Sequence, residues 1–247
     1  MRIYLIIVGR REIMSDAHRA TAREIAHNHL KAGDPLGWFE DLYSQAGDDT
    51  SIIPWADLTP NPNLIAWLNR QGSAGSGLAL KVGSGLGDDA EELARRGYET
   101  TAFDISPSAI ARSRARFPNS PVSYVQADLF SAPGEWQGHF DFVLESYTLQ
   151  VLPPELRREA IRCIGSFVAP GGTLLVIARG REPGESEGKM PWPLTKAELS
   201  LFETHDLKQV SFEDYMDSED PPVRRFRATY VRKEPGCPTT ESNATPD

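Results

Sequence analysis

The sequence predicts an α/β fold built around one mostly parallel sheet. Short apolar runs of strand length alternate with amphipathic helical stretches from Leu78 to Ala178. A glycine-rich turn, Gly83-Ser84-Gly85-Leu86-Gly87, stands between the first of these strands and the helix after it. The next strand ends in an acid, Asp104, 21 positions after Gly83 (104 − 83). Alternation of this kind implies βαβ units and hence parallel pairing.

At 247 residues the chain suits one α/β domain with a helical N-terminal addition. Residues 1–13 are expected to be an extension. Their apolar run, Tyr4 to Val8, is shorter than the ~7–15 residues of a signal core and far below the ~20 of a membrane span. Residues 14–233 read as one domain, with 14–76 a cap segment and 77–233 the core. Residues 234–247 read as a polar, disordered tail.

Within the cap, residues 15–31 carry an apolar stripe from Ala17, Ala20, Ile25, Ala26 and Leu30, which predicts a helix. Trp38, Phe39, Leu42 and Tyr43 mark a second helix, and residues 64–69 a third. A proline-bearing loop holding Trp55 lies between the last two, and a Gly/Ser linker over 72–77 leads into the core. The core reads strand 78–82, helix 88–96, strand 99–104, helix 107–116 with proline in its first turn, and strand 122–127. Strand 140–145, helix 154–168, a turn at 169–172 and strand 173–178 follow. Beyond a loop over 180–193, Thr195 and Glu198 form a capping box for a helix over 195–202. Two strands, 207–215 and 224–232, flank the turn Asp220-Pro221-Pro222.

Charge and cysteine usage exclude several functions. A net charge of −9 repels phosphate backbones and gives no reason to expect binding to nucleic acid or to anionic membranes. Cys163 and Cys237 offer neither metal-ligand spacing nor a disulfide framework. No metal is expected, Cys163 reads as a core residue, and a reducing, cytoplasmic setting fits.

The glycine turn is placed to bring backbone close to a ligand, and Asp104 is placed to accept from a ribose diol. A tight turn beside a solvated strand-end acid is the plainer alternative. A dinucleotide fingerprint would put its last glycine at 88, which is Asp88. That helix opens with Asp88, Asp89, Glu91 and Glu92, which already satisfy its positive end and would repel a pyrophosphate. A nucleoside ligand with no phosphate and a cationic sulfonium, S-adenosylmethionine, meets no such penalty. Asp128, ending the third strand, can accept from an adenine amino group beside Leu129 and Phe130.

With these residues in order, the chain resembles the class I methyltransferases. The resemblance rests on Phe103-Asp104-Ile105-Ser106-Pro107, Ala127-Asp128-Leu129, and Leu152-Pro153-Pro154 through Pro170-Gly171-Gly172-Thr173-Leu174. It implies a Rossmann-like seven-stranded sheet of order 3-2-1-4-5-7-6 with its last strand antiparallel. One departure stands out: many relatives carry an acid two residues before the first glycine, where this chain has Lys81. That acid usually helps hold the ammonium end of the cofactor.

A narrower resemblance is to the thiopurine, thiol and halide methyltransferase group. It rests on Trp38-Phe39-Glu40-Asp41-Leu42-Tyr43, then Pro54-Trp55-Ala56-Asp57 and Pro60-Asn61-Pro62, and on Ser146-Tyr147-Thr148. Together the resemblances imply a cofactor site of Trp38, Trp55, Gly83, Ser84, Gly85, Gly87, Asp104, Ile105, Asp128, Leu129 and Glu145. Tyr147 is the candidate catalytic residue, to orient or deprotonate a substrate, and with Trp192 it is expected to line the pocket of a small-molecule acceptor. Each aromatic has a plainer reading as a packing anchor.

No convincing base accompanies them: His18, His27, His29, His139 and His205 read as surface residues. Methyl transfer to a thiol needs alignment and desolvation more than a base, so a thiol is the expected acceptor. The alternatives are an O- or N-methyltransferase of a small metabolite, a non-catalytic cofactor-binding domain suggested by Lys81, and a dehydrogenase disfavoured by Asp88.

Overall fold

The computed structural model describes residues 18–47, 49–72 and 75–234. Expectations for residues 1–13, for the first turn of the opening helix, for Cys237 and for the tail after Glu234 lie outside these residues. Seven strands form one sheet: β1 (Leu78–Val82), β2 (Glu99–Asp104), β3 (Ser123–Gln126), β4 (Phe140–Ser146), β5 (Val168–Arg179), β6 (Leu207–Met216) and β7 (Arg224–Arg232). Their order is β3-β2-β1-β4-β5-β7-β6. The pairs among β1 to β5 are parallel, and β7 runs antiparallel to both β5 and β6. The sheet therefore has the order and the antiparallel last strand that the resemblance implied.

The helices are α1 (18–31 as far as described), α2 (Gly37–Ala46), α3 (Pro62–Gln71), α4 (Asp88–Arg95), α5 (Pro107–Arg116), α6 (Pro154–Phe167) and α7 (Lys196–Leu199). Alternation along the strands decides which helix meets which face. Leu80, Val82, Val143, Leu174 and Val176 pack with Ile161, Ile164 and Phe167 of α6 on one side. Ala79, Phe142, Leu144, Leu175 and Ile177 pack with Leu64, Trp67 and Leu68 of α3 and Leu93 of α4 on the other. Trp67 stacks on Phe142 at 5.3 Å between ring centres, and its indole N–H donates to Thr229 Oγ1 at 3.0 Å. Helix α3, inside the stretch read as cap, thus covers a face of the sheet.

Two local readings change. The turn read at 169–172 is absorbed into β5, which begins at Val168 and shifts register against β4 between Phe140 and Phe142. Gly171 supplies the positive φ of 74° that this irregularity needs. The Thr195–Glu198 capping box forms, but it opens four residues of α-helix that tighten into a 3-10 turn over Ser200–His205. Cys163 is buried, as a core residue should be. Among the described residues no helix is long and apolar enough to cross a membrane.

Candidate active site

A cavity of about 610 Å³ opens at the C-terminal edge of the sheet, within the ~300–1,000 Å³ of small-molecule sites. It lies where β1 and β4 adjoin and the strand order reverses, the place where open α/β sheets bind ligands. Loops after β1, β2 and β3 form one end, and those after β4 and β5 with the start of β7 form the other.

At the first end, Gly83 (φ 59°) and Gly85 (φ 54°) hold left-handed conformations. A Cβ on Gly83 would stand 2.5 Å from Thr148 Oγ1, and one on Gly85 would stand 3.1 Å from the Tyr43 hydroxyl. The Gly85 N–H donates to Asp104 Oδ2 at 2.9 Å, and the Ser106 N–H donates to Oδ1 at 3.0 Å. One buried carboxylate thus fixes both the loop and the start of α5. Burial pushes the Asp104 carboxyl above its ordinary range, and the Ser106 and Gly85 amides and the charge of Lys81 oppose that shift. Gly83, Ser84, Gly85, Ile105, Asp128 and Leu129 line the cavity with Asp104. Asp128 also caps the turn after β3, accepting from the Phe130 N–H at 2.9 Å.

Gly87 does not line the cavity. Its φ of 94° starts α4, and a Cβ there would collide with the Tyr124 hydroxyl, so packing demands this glycine rather than a ligand. The acids opening α4 are all engaged. Arg116 makes a two-point pair with Asp88 at 2.8 and 2.9 Å. Asp89 accepts from the Asn61 N–H and from Ser146 Oγ, both at 2.8 Å. Tyr124 donates to Glu91 at 2.7 Å, and Arg95 and Arg96 hold Glu92.

Lys81 is buried and turned back on the loop, donating to the carbonyls of Val82 at 2.7 Å and Gly83 at 3.1 Å. Burial depresses its ammonium pKa, and Asp89, Glu145 and Asp104 oppose that shift. Glu145, expected at the cofactor, is fully buried and absent from the cavity wall. Its Oε1 accepts from the Thr148 N–H at 2.7 Å and the Leu149 N–H at 3.0 Å, while Oε2 has no partner. It points under the turn after β4 because residue 145 falls on the same sheet face as Val143. Burial pushes its carboxyl up to about 7.

The cap supplies the roof. Trp55 lines the cavity, with its indole N–H donating to the Tyr43 hydroxyl at 2.9 Å, and Phe39 and Tyr43 line it too. Trp38 does not. It is 1 % exposed, stacked on Phe39 at 4.0 Å and edge-on to Trp55 at 5.9 Å, so it anchors the cap behind the wall. Glu40 latches the cap to α5, accepting from the hydroxyls of Ser106 and Ser108 at 2.6 Å each and from the Ser108 N–H at 3.1 Å.

At the other end Tyr147 lines the cavity with a positive φ of 67°. Its hydroxyl accepts from Asn63 Nδ2 at 3.2 Å, and the Arg225 guanidinium lies 4.7 Å above its ring. Burial raises its phenol pKa, and the charge of Arg225 opposes that shift. Trp192, expected in the acceptor wall, is outside it: Met190 and Pro191 line the cavity instead. The Trp192 N–H is tied to the Gln150 carbonyl at 2.7 Å, and its ring packs in the cap cluster beside Arg157. None of the five histidines lines the cavity, and His29 is held between Asp34 and Asp41. Tyr43, Phe39, Arg179 and Arg225 line the cavity without having been singled out from the sequence. Phe39 and Tyr43 carried a signal through the Trp38–Tyr43 motif, and Arg179 as the residue just past a strand read to end at the ligand-binding edge.

Comparison with known proteins supports the frame. Residues 79–172 match the family model of a methyltransferase domain. An uncharacterized methyltransferase of Mycobacterium tuberculosis is 36% identical over 124 residues, which cover 50% of this chain and 60% of that protein. A probable thiol methyltransferase of Arabidopsis thaliana is 27% identical over 173 residues, covering 66% and 72%. The chain thus spans about 60% of the length of the first of these relatives. Among solved structures, the 1,6-didemethyltoxoflavin-N1-methyltransferase of Burkholderia thailandensis, with bound 1,6-didemethyltoxoflavin and S-adenosylhomocysteine, has the same fold. Its TM-score is 0.64 at 19% identity, over 83% of this chain and 90% of that one.

Proposed function

We propose that this chain is an S-adenosylmethionine-dependent methyltransferase acting on a small-molecule nucleophile, with a thiol as the preferred acceptor. The observation that carries the cofactor assignment is the Asp104 bridge between the glycine loop and α5 on the cavity wall. Gly83 and Gly85, both at positive φ, bring the loop backbone to the cavity wall, where a nucleoside would lie against it. Asp104 would take the ribose hydroxyls, Asp128 the adenine amino group, and Ile105 and Leu129 the faces of the ring. Trp55 would close over the sulfonium. The engaged acids of α4 argue against a pyrophosphate ligand at that helix end.

When bound, S-adenosylmethionine supplies a methyl carbon already activated by its sulfonium. The chain's own residues align and dry the reacting groups. The acceptor's lone pair forms the new bond to the methyl carbon as the carbon–sulfonium bond breaks, its electron pair returning to sulfur. With no histidine on the wall, an acceptor that ionises by itself is favoured. A thiol, with a pKa near ~8.5, loses its proton to solvent before transfer. The likeness to a probable thiol methyltransferase supports the same choice. The buried, unpaired Cys163 suits a reducing cytoplasm.

Incubation with S-adenosylmethionine and a panel of thiols, phenols and amines, read by mass spectrometry, tests this. S-Methyl products should form, with a rate that rises with pH as the thiolate fraction grows. Efficient methylation of a phenol or amine with thiols ignored overturns the acceptor assignment. Absence of both turnover and S-adenosylhomocysteine binding overturns the function as a whole.

A further inference from the structure

The acceptor end of the cavity holds an arginine whose side chain has no hydrogen-bond or ion-pair partner among the described residues. Arg179 ends β5 and lines the cavity. Its backbone is pinned, with the N–H donating to Gln150 Oε1 at 2.7 Å and the carbonyl accepting from the Leu194 N–H at 2.8 Å. Its side chain is not: Nε is buried with no hydrogen-bond partner, and no carboxylate among the described residues forms an ion pair with the guanidinium. The three buried arginines among the described residues are paired, Arg157 with Glu198, Arg225 with Asp217 and Arg227 with Glu213.

The neighbours sharpen the contrast. Arg225 sits opposite Arg179 in the β5–β7 register, and Arg19 lines the same cavity. Arg225 is already occupied, through Nε to Asp217 at 2.6 Å and through Nη2 to Glu219. The other acids of this end, Asp57 and Asp220, are exposed. Burial, then the charges of Arg225 and Arg19, lower the Arg179 pKa, and the charge of Glu219 opposes that shift. The guanidinium is part-buried, its Nε is shut away from water, and none of its N–H groups is spent on holding the fold together. Its planar fork matches a carboxylate at two points.

We propose that Arg179 anchors a carboxylate of the methyl acceptor, so that the site takes small acidic acceptors in preference to their neutral analogues. This rests on the methyltransferase reading above and adds the acceptor's charge to it. Strand β5 lies two strand spacings, about 10 Å, from β1 and its glycine loop. A carboxylate on Arg179 therefore leaves a nucleophile a few bonds away beside Tyr147, near the point where β1 and β4 adjoin.

The test is calorimetric titration of the full chain saturated with S-adenosylhomocysteine. The probes are acid and amide pairs of one shape: 3-mercaptopropionate with its amide, thiosalicylate with 2-mercaptobenzamide, and benzoate with benzamide. At least one acid should bind about 10- to 100-fold more tightly than its amide, the range of a charge-assisted pair. Arg179→Gln should abolish that preference, and Arg179→Lys should restore part of it. The melting temperature of ligand-free R179Q should equal or exceed that of wild type, since the substitution removes no side-chain hydrogen bond or ion pair. Acid and amide binding alike, no acid binding at all, a preference that survives in R179Q, or a lower melting temperature for R179Q overturns the proposal. Failure of S-adenosylhomocysteine to bind in the first step sinks the methyltransferase reading itself. Its binding without charge preference sinks only the carboxylate anchor.

Discussion

Replacing Asp104 with alanine separates the structural and the binding work of one carboxylate. In the folded protein it accepts from the Gly85 N–H at 2.9 Å and from the Ser106 N–H at 3.0 Å. Alanine leaves both amides without their acceptor, at roughly 1–3 kcal/mol each. Burial already strains the charged form of this carboxyl, which offsets part of the loss. A net destabilisation of about 2–4 kcal/mol follows, and at ~2–4 °C per kcal/mol the melting temperature should fall by roughly 4–16 °C. Loss of charge-assisted ribose contacts should weaken S-adenosylhomocysteine binding by about 1–3 kcal/mol, or roughly 5- to 150-fold in Kd. Asp104→Asn keeps one acceptor oxygen and should fall between wild type and alanine on both scales. Thermal melts and titration calorimetry on the same preparations read the two effects separately. An unchanged Kd in folded D104A would remove Asp104 from the cofactor site, and an unchanged melting temperature would refute its bridging role.

Trp38→Ala should lower stability by about 3–5 kcal/mol, because the ring is fully buried in the cap. Trp55→Ala should chiefly weaken cofactor binding; a reversed ranking in melts and titrations would return Trp38 to the cavity wall. Glu40→Gln should loosen the cap by about 1–3 kcal/mol through weakened bonds to Ser106 and Ser108, seen as faster hydrogen exchange in α2. Unchanged exchange there would refute the latch. Burial raises the Glu145 carboxyl from 4.5 to about 7, so between those values the native state holds a proton that the unfolded chain has released. Native stability should therefore fall as pH rises through that window, by up to about 3 kcal/mol, and Glu145→Gln should flatten the fall. Parallel pH profiles for the two proteins would contradict this.

The features legible in the sequence are those that local chemistry decides. The bounds of β1, β2, α5 and β7 follow from apolar alternation and from Pro107 in a first helical turn, and they match the structure residue for residue. Gly83, Gly85 and Asp104 were legible because a backbone conformation and a strand end are properties of a few neighbouring residues. Two similar aromatics in the cap were not separable in this way. Trp38 and Trp55 differ in role only because α2 turns one into the cap core and the loop before α3 leaves the other on the cavity wall. Glu145 and Trp192 were misplaced for the same reason: each lies beside the site in sequence, but the pleat of β4 and the tie to Gln150 aim them elsewhere. Arg179 and Arg225 stand 46 positions apart (225 − 179) and meet only because β7 inserts antiparallel beside β5. Local periodicity and backbone geometry thus determined the elements and the glycine loop from the sequence alone. The tertiary structure decided which charges are answered and which face the cavity, because burial and charge pairing depend on residues brought together from distant parts of the chain.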